Sequence, residues 1–181
     1  TPAGLLAEYS SKGHVAHRVD PDIAFVWGAS SPDERLEAGP FSAKWTGQIL
    51  LRGEGKTRFH AFVQGRIEVR VDDKVVVAGG ADKPTWLSGD EVDFGFGEKP
   101  FVVTFARTGD AAQLKLFWSS TEFPLEPLPY HILFHEKTPS EIALAERGRV
   151  LVESHRCANC HGVGRETEKS LAPLAAPSLK H

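Results

Sequence analysis

The feature that most constrains the fold is a series of short apolar or alternating runs between Gly4 and about Phe134, separated by Gly, Asp and Pro. The clearest runs are 23–27, 57–63, 67–71, 74–77, 101–105 and 113–118. Runs spaced roughly 8–12 residues apart are typical of antiparallel sandwiches and barrels. No helix-period segment of useful length occurs in this part of the chain. The sequence therefore predicts a mainly β domain.

One hairpin is predicted within this domain, over residues 66–77. Its turn falls at Asp72 and Asp73, which lie between two β-branched runs. Aspartate tolerates the positive φ angles that tight hairpin turns demand, so we expect the pair to serve the turn.

Proline marks the end of the β domain. Pro124, Pro127 and Pro129 interrupt the strand pattern, as they would in a linker. We therefore predict a β domain over 1–137, ending in a Pro-rich linker, and a second domain over 138–181.

The second domain opens with a helix start signal. Thr138 suits the N-cap, Pro139 the first helical position and Glu141 the N3 position of a capping box. We predict a helix from Thr138 towards His155.

A CxxCH motif follows the predicted helix and contains the only two cysteines of the 181 residues, Cys157 and Cys160. This motif is the attachment signature of a c-type haem: two thiols on one helical turn form thioethers, and His161 lies under the iron. A zinc site is an alternative, but zinc needs about four ligands and only these three converge locally, with His155 as a further candidate. A redox disulfide is the other alternative, although a thioredoxin-like CxxC belongs in an α/β context.

Residues 146–162 resemble the first helix of a small class I cytochrome c. The resemblance implies covalent haem c on Cys157 and Cys160, with His161 as the axial iron ligand. That family takes its sixth ligand from a downstream methionine, and this chain has none. His181 is our candidate for the sixth position; a segment beyond it, or water, is the alternative.

The β part resembles the PA14 module in four stretches: 4–9, 41–47, 69–76 and 114–118. The resemblance spans about residues 4–120 and implies a β-sandwich or barrel found in extracellular proteins, often as a carbohydrate-binding or adhesive module.

The resemblance also implies where a calcium site would lie. Sugar-binding members coordinate calcium with an adjacent Asp pair just after the strand that precedes the hairpin. At that place this chain has Val63, Gln64, Gly65 and Arg66. We therefore do not expect calcium.

Histidine and tryptophan offer two further sets of candidates. His131 and His135 are four apart, but the neighbouring prolines favour extended chain, so we expect linker or interface packing rather than a metal pair. The tryptophans could stack on sugar rings, yet we expect core packing for each of them: Trp27, Trp45, Trp86 and Trp118.

Composition excludes several functions. The net charge is −3 and no basic patch resembles a nucleic-acid footprint. No apolar run approaches membrane-spanning length. The chain has no recognisable signal peptide and no methionine, so we expect a processed chain or a fragment.

The interpretation that follows is an exported bacterial electron-transfer protein of the periplasm or cell surface, with the β domain docking it to a redox partner, a sugar dehydrogenase or a polysaccharide. The alternative is a carbohydrate-binding or adhesion protein in which the haem segment is secondary. No Ser-His-Asp order or paired-carboxylate spacing supports an enzyme.

Overall fold

A computed structural model describes residues 2–53 and 55–136, together with residues 144, 147, 148, 151 and 155. The chain divides into two compact units, Thr1–Thr138 and Pro139–His181.

The first unit is built from antiparallel strands, as the sequence predicts. The strands are β1 (Leu5–Ser11), β2 (His14–Asp20), β3 (Ala24–Gly28), β4 (Ser42–Arg52), β5 (Thr57–Val71), β6 (Lys74–Ser88), β7 (Phe96–Ala106), β8 (Ala112–Ser120), β9 (Glu126–Pro127) and β10 (Leu133–Phe134). One short 3₁₀ helix, η1, covers Tyr130–Ile132.

The strands form one curled sheet in the order β2-β1-β4-β7-β5-β8-β3, with β6 on the other edge of β5. Residues 66–71 of β5 pair with β7, whereas residues 57–64 pair with β8. We call the part built on β2, β1, β4, β7, 66–71 and 74–81 the front layer. The part built on β3, β8, 57–64 and 85–88 is the back layer.

Aromatic side chains join the two layers across the core. The ring of Phe25 stacks on that of Trp45 with centroids 5.7 Å apart, so the end strand β3 faces β4. Trp27 contacts Phe41 and Phe105 at 5.1 and 5.2 Å. These contacts pack the end strand β3 against β4 and β7, and the sheet curls around one apolar core.

The predicted hairpin is confirmed. β5 and β6 pair in register at Val71 and Lys74, and the two residues between them, Asp72 and Asp73, have φ angles of 50° and 61°. Both values lie in the left-handed region, which aspartate tolerates and which a tight two-residue hairpin turn uses.

The Pro-rich segment packs on the β domain. Pro127 pairs with Phe117 through β9, and Leu133 pairs with Ile49 through β10. Ile132 and Leu133 are buried. Proline suits β9 because an edge strand does not need every amide as a donor.

The helical cytochrome segment predicted over 138–181 lies almost entirely outside the described residues. Within it, residues 144, 147, 148 and 151 are helical, and the amide of His155 donates to the carbonyl of Leu151 at 3.0 Å. The residues that the structure describes form a mainly antiparallel β fold and include no cytochrome fold.

A buried carboxylate organises the first hairpin. Asp20 accepts hydrogen bonds from the Tyr9 hydroxyl at 2.5 Å and from Nε1 of Trp45 at 2.8 Å. The guanidinium of Arg18 donates to the other Asp20 oxygen at 2.6 Å and lies 4.4 Å from the centre of the Tyr9 ring. Burial and the Asp20 charge together raise the pKa of Tyr9 well above its usual range, so this hydroxyl stays a donor.

Asp33 extends this network to the loop between β3 and β4. Its carboxylate is nearly buried and accepts from Nε and Nη2 of Arg35 at 2.7 and 3.0 Å, and from Nη1 of Arg18 at 3.3 Å. Burial alone would raise the pKa of Asp33, but the Arg35 and Arg18 contacts outweigh it and hold the pKa below its ordinary value.

Asp33→Asn should reduce the free energy of unfolding at pH 7 by about 1–3 kcal/mol, because it removes a charge-assisted network from a buried site. The difference from the unmodified chain should persist above the ordinary Asp pKa and shrink as the pH falls through the lower folded pKa, since Asp33 is then protonated as well. Urea unfolding from pH 7 to pH 3, followed by tryptophan fluorescence, measures this. Glu34→Gln, at an exposed position of the same loop, should change stability by less than about 0.5 kcal/mol. A pH-independent effect of Asp33→Asn would contradict the assignment.

Candidate functional site

A groove of about 830 Å³ crosses the outer face of the front layer. Strand register places its side chains in rows. One row runs from Glu8 through Lys44, Thr104 and Glu68 to Ala78, each residue paired with the next across neighbouring strands. The lining comprises Glu8, Ser42, Ala43, Lys44, Gly65, Arg66, Ile67, Glu68, Ala78, Gly79, Gly80, Ala81, Asp82, Thr104, Phe105, Ala106 and Thr108.

Charges of both signs alternate across the groove. Glu8 and Glu68 flank the cationic Lys44 in the first row, and Arg66 lies in the neighbouring row between Ala106 and Gly80. Glu68 also pairs with Nε of Arg70 at 2.6 Å. The site therefore presents donors and acceptors side by side, with the hydroxyl of Thr104 between Lys44 and Glu68.

Small residues open the floor where the sheet bends. Gly65 has a φ of +129°, and a Cβ there would lie 2.5 Å from the Phe105 ring and 2.7 Å from the carbonyl oxygen of Ala106. At this point β5 changes its partner from β8 to β7. Opposite Gln64, residues 82–84 bulge out of β6, and the Gln64 amide donates to the Asp82 carbonyl at 2.9 Å.

Gly65→Ala should destabilise the β domain by about 1–3 kcal/mol, because the backbone conformation disfavours a side chain and the space is filled. Gly109→Ala is the matched control: nothing lies within 4 Å of a Cβ at that position, and its φ is outside the left-handed region. Urea unfolding of the full chain, with fluorescence from the four tryptophans, all in the β domain, measures both. Equal stability of the two variants would show that the bend does not need glycine.

According to the sequence resemblance, residues 63–66 take the place of the calcium-binding Asp pair of sugar-binding members. Of these four residues, Gly65 and Arg66 line the groove, whereas Asp72 and Asp73 lie in the hairpin turn. Among the described residues, no group of three or more His, Cys, Asp or Glu could hold a metal ion.

The two histidine candidates do not meet in a site. His131 is exposed in η1, and His135 is buried with Nδ1 3.0 Å from the Gly4 carbonyl oxygen. Packing is therefore the observed role of His135, as the sequence predicts.

Three of the four tryptophans are in the core, as predicted: Trp27, Trp45 and Trp118. Trp86 is 49% exposed, so the prediction of core packing is wrong for this residue. Its neighbours on the outer face of the back layer, rather than the interior, provide its contacts.

The haem candidates Cys157, Cys160, His161 and His181 lie outside the described residues. The roles assigned to them, including haem c attachment, stay predictions. Across the part of the chain that the structure describes, no helix is both long and apolar enough to span a membrane.

The family model of the PA14 domain matches residues 3–123 of this chain. The chain belongs to the PA14 domain family. The resemblance seen in the sequence is confirmed, and the antiparallel fold is that of a PA14 module.

Anti-sigma factor proteins and a sugar-binding PA14 domain are among the similar proteins. The anti-sigma-I factor RsgI3 of Acetivibrio thermocellus is 28% identical over 138 residues, which are 72% of this chain and 21% of that protein. A solved anti-sigma factor domain-containing protein superposes with a TM-score of 0.68 and 24% identity, over 76% of this chain and 49% of its own. A PA14 sugar-binding domain from an RTX adhesin superposes with a TM-score of 0.60 and 16% identity, over 75% of this chain and 100% of its own. The chain thus spans a fifth to a half of the anti-sigma factor relatives.

These relatives contradict haem-based electron transfer as the function of the chain. They are anti-sigma factor proteins and PA14 modules, and they give no support to a cytochrome, iron or sugar dehydrogenase interpretation. The electron-transfer interpretation depended on the CxxCH motif, which is a short and specific signal. The motif says nothing about the 121 matched residues that form the PA14 domain.

Sequence reasoning missed the groove itself. Its residues come from five strands and become neighbours only through register. The available signal was the small-residue stretch 78–81, which follows the valine run 75–77 in the same strand.

Proposed function

We propose that the PA14 domain binds carbohydrate in the groove of the front layer. The observation that carries the proposal is that the groove lies where the resemblance leads us to expect a ligand site. Gly65 and Arg66 line the groove, and they belong to residues 63–66, where the sequence resemblance places the ligand site of sugar-binding members.

The chemistry of the groove supports this ligand class. Arg66 and Lys44 supply only donors, Glu68 supplies acceptors, and Thr104 supplies both. A sugar hydroxyl both donates and accepts, so it can bridge such neighbours. The shared fold with a sugar-binding PA14 domain makes carbohydrate the first class to test.

Arg66→Ala and Glu68→Gln should each weaken glycan binding about tenfold, because each removes a charge-assisted hydrogen bond worth roughly 1.5 kcal/mol or more. The measurement is affinity electrophoresis of the full chain against xyloglucan, mixed-linkage β-glucan, galactan and polygalacturonate, followed by calorimetry with matching oligosaccharides. Arg52→Ala, exposed at the end of β4 and outside the groove, is the control and should bind normally. If no glycan binds, or if the groove variants bind normally, the proposal fails.

Binding in the groove should not require calcium, because Gln64 and Gly65 replace the Asp pair of calcium-dependent members. Dialysis against EDTA should leave both the glycan affinity and the melting temperature unchanged. A loss of affinity or of thermal stability that calcium restores would contradict this prediction and would reveal an oxygen-rich site outside the groove.

A further inference from the structure

The outer face of the back layer carries an exposed aromatic cluster. Trp86 pairs across strands with Phe62, and the two ring centroids are 5.2 Å apart. The indole also contacts Phe117 on the next strand, at 4.8 Å. Two partly buried phenylalanine rings thus hold in place a tryptophan that is 49% exposed. A side chain of this size left half in water on a well-packed domain indicates a contact surface.

A polar row lies directly beside the cluster. Nδ1 of His60 is 2.8 Å from Oγ of Ser88, and Nε2 is 3.0 Å from Oγ of Ser119. Burial and the Arg58 guanidinium lower the pKa of His60 below its ordinary value, which favours the neutral ring. A neutral imidazole donates through one nitrogen and accepts through the other, so each serine hydroxyl keeps capacity for a further bond.

Register fixes the distance between the two features. Trp86 is paired with Phe62, and Ser88 with His60, two residues further along each strand. Two residues span roughly 7 Å along a strand. The polar row therefore lies roughly 7 Å along the strands from the indole, so that one bound oligosaccharide can contact both.

We propose that Trp86, with the His60–Ser88–Ser119 row, forms a second carbohydrate surface for β-linked pyranoses whose hydroxyls are equatorial, the gluco and xylo configurations. Such rings expose axial C–H groups on their flat faces, which pack on an indole, and hydroxyls at their rims, which reach serine. The inference rests on the proposed function for its ligand class, but it uses the opposite layer of the domain and none of the groove residues.

A protein partner fits this face less well. A stable protein interface buries about 800 Å² on each side, whereas this apolar patch consists of three rings bordered by hydroxyls. Lys115, paired with Phe62, adds a cation at the border. A neutral sugar tolerates that cation, and a uronate would pair with it, so acidic glycans belong in the test.

The test measures binding of cellohexaose, xylohexaose, galactohexaose and hexagalacturonate to the full chain by calorimetry and tryptophan emission. Because the other three tryptophans are buried, a change of emission on binding reports Trp86. Trp86→Ala should weaken cellohexaose or xylohexaose binding at least tenfold. Trp86→Phe keeps an aromatic ring and should lose the emission change while retaining part of the affinity. Phe96→Ala removes another exposed aromatic side chain, 76% exposed and outside the cluster, and should change neither readout.

The outcomes separate the two proposals. If Trp86→Ala binds every glycan normally while Arg66→Ala does not, the second surface is refuted and the groove stands. If Trp86→Ala loses binding while Arg66→Ala does not, the second surface stands and the groove fails. Binding confined to hexagalacturonate, lost in Lys115→Ala and retained in Trp86→Ala, would also overturn the second surface.

Discussion

One strand edge that serves two partners shapes the whole β domain. The same edge of β5 pairs with β8 along residues 57–64 and with β7 along residues 66–71. The change of partner needs a sharp bend, and Gly65 provides it because no side chain fits between β5 and the Phe105 ring. The two layers diverge from this residue. The groove on the front layer and the aromatic cluster on the back layer both use residues of β5 on either side of it.

The second constraint is electrostatic. Asp20 is buried and is stabilised by three donors, from Tyr9, Arg18 and Trp45. A buried carboxylate is costly unless its hydrogen bonds are made, so this network selects one arrangement of β1, β2 and β4. Asp33 then ties the β3–β4 loop to the same arginine. The network fixes the strands that carry Glu8 and Lys44 into the groove.

The two proposed surfaces differ in how they would recognise a sugar. The front groove offers alternating charges and hydroxyls, which suits hydrogen bonding along the rim of a glycan. The back cluster offers a ring face with hydroxyls beside it. Because the surfaces lie on opposite layers, one domain could hold two chains of a polysaccharide or two segments of one chain. Simultaneous engagement would raise avidity without any new contact.

The sequence by itself determined the class of fold and the Asp72–Asp73 hairpin, because each depends on local periodicity or turn chemistry. The PA14 membership was indicated by the resemblance of four sequence stretches. The sequence also predicted that Trp27, Trp45 and Trp118 lie in the core. It could not identify Trp86 as exposed, since Trp86 lies beside Leu87 much as the buried Trp27 lies beside Val26 and Trp118 beside Phe117. The CxxCH motif supplied a strong local signal that led to the wrong function. Tertiary structure decided the groove, the aromatic cluster and the Asp20 network. The residues of each lie far apart in sequence, and only strand register and the curl of the sheet bring them within contact distance.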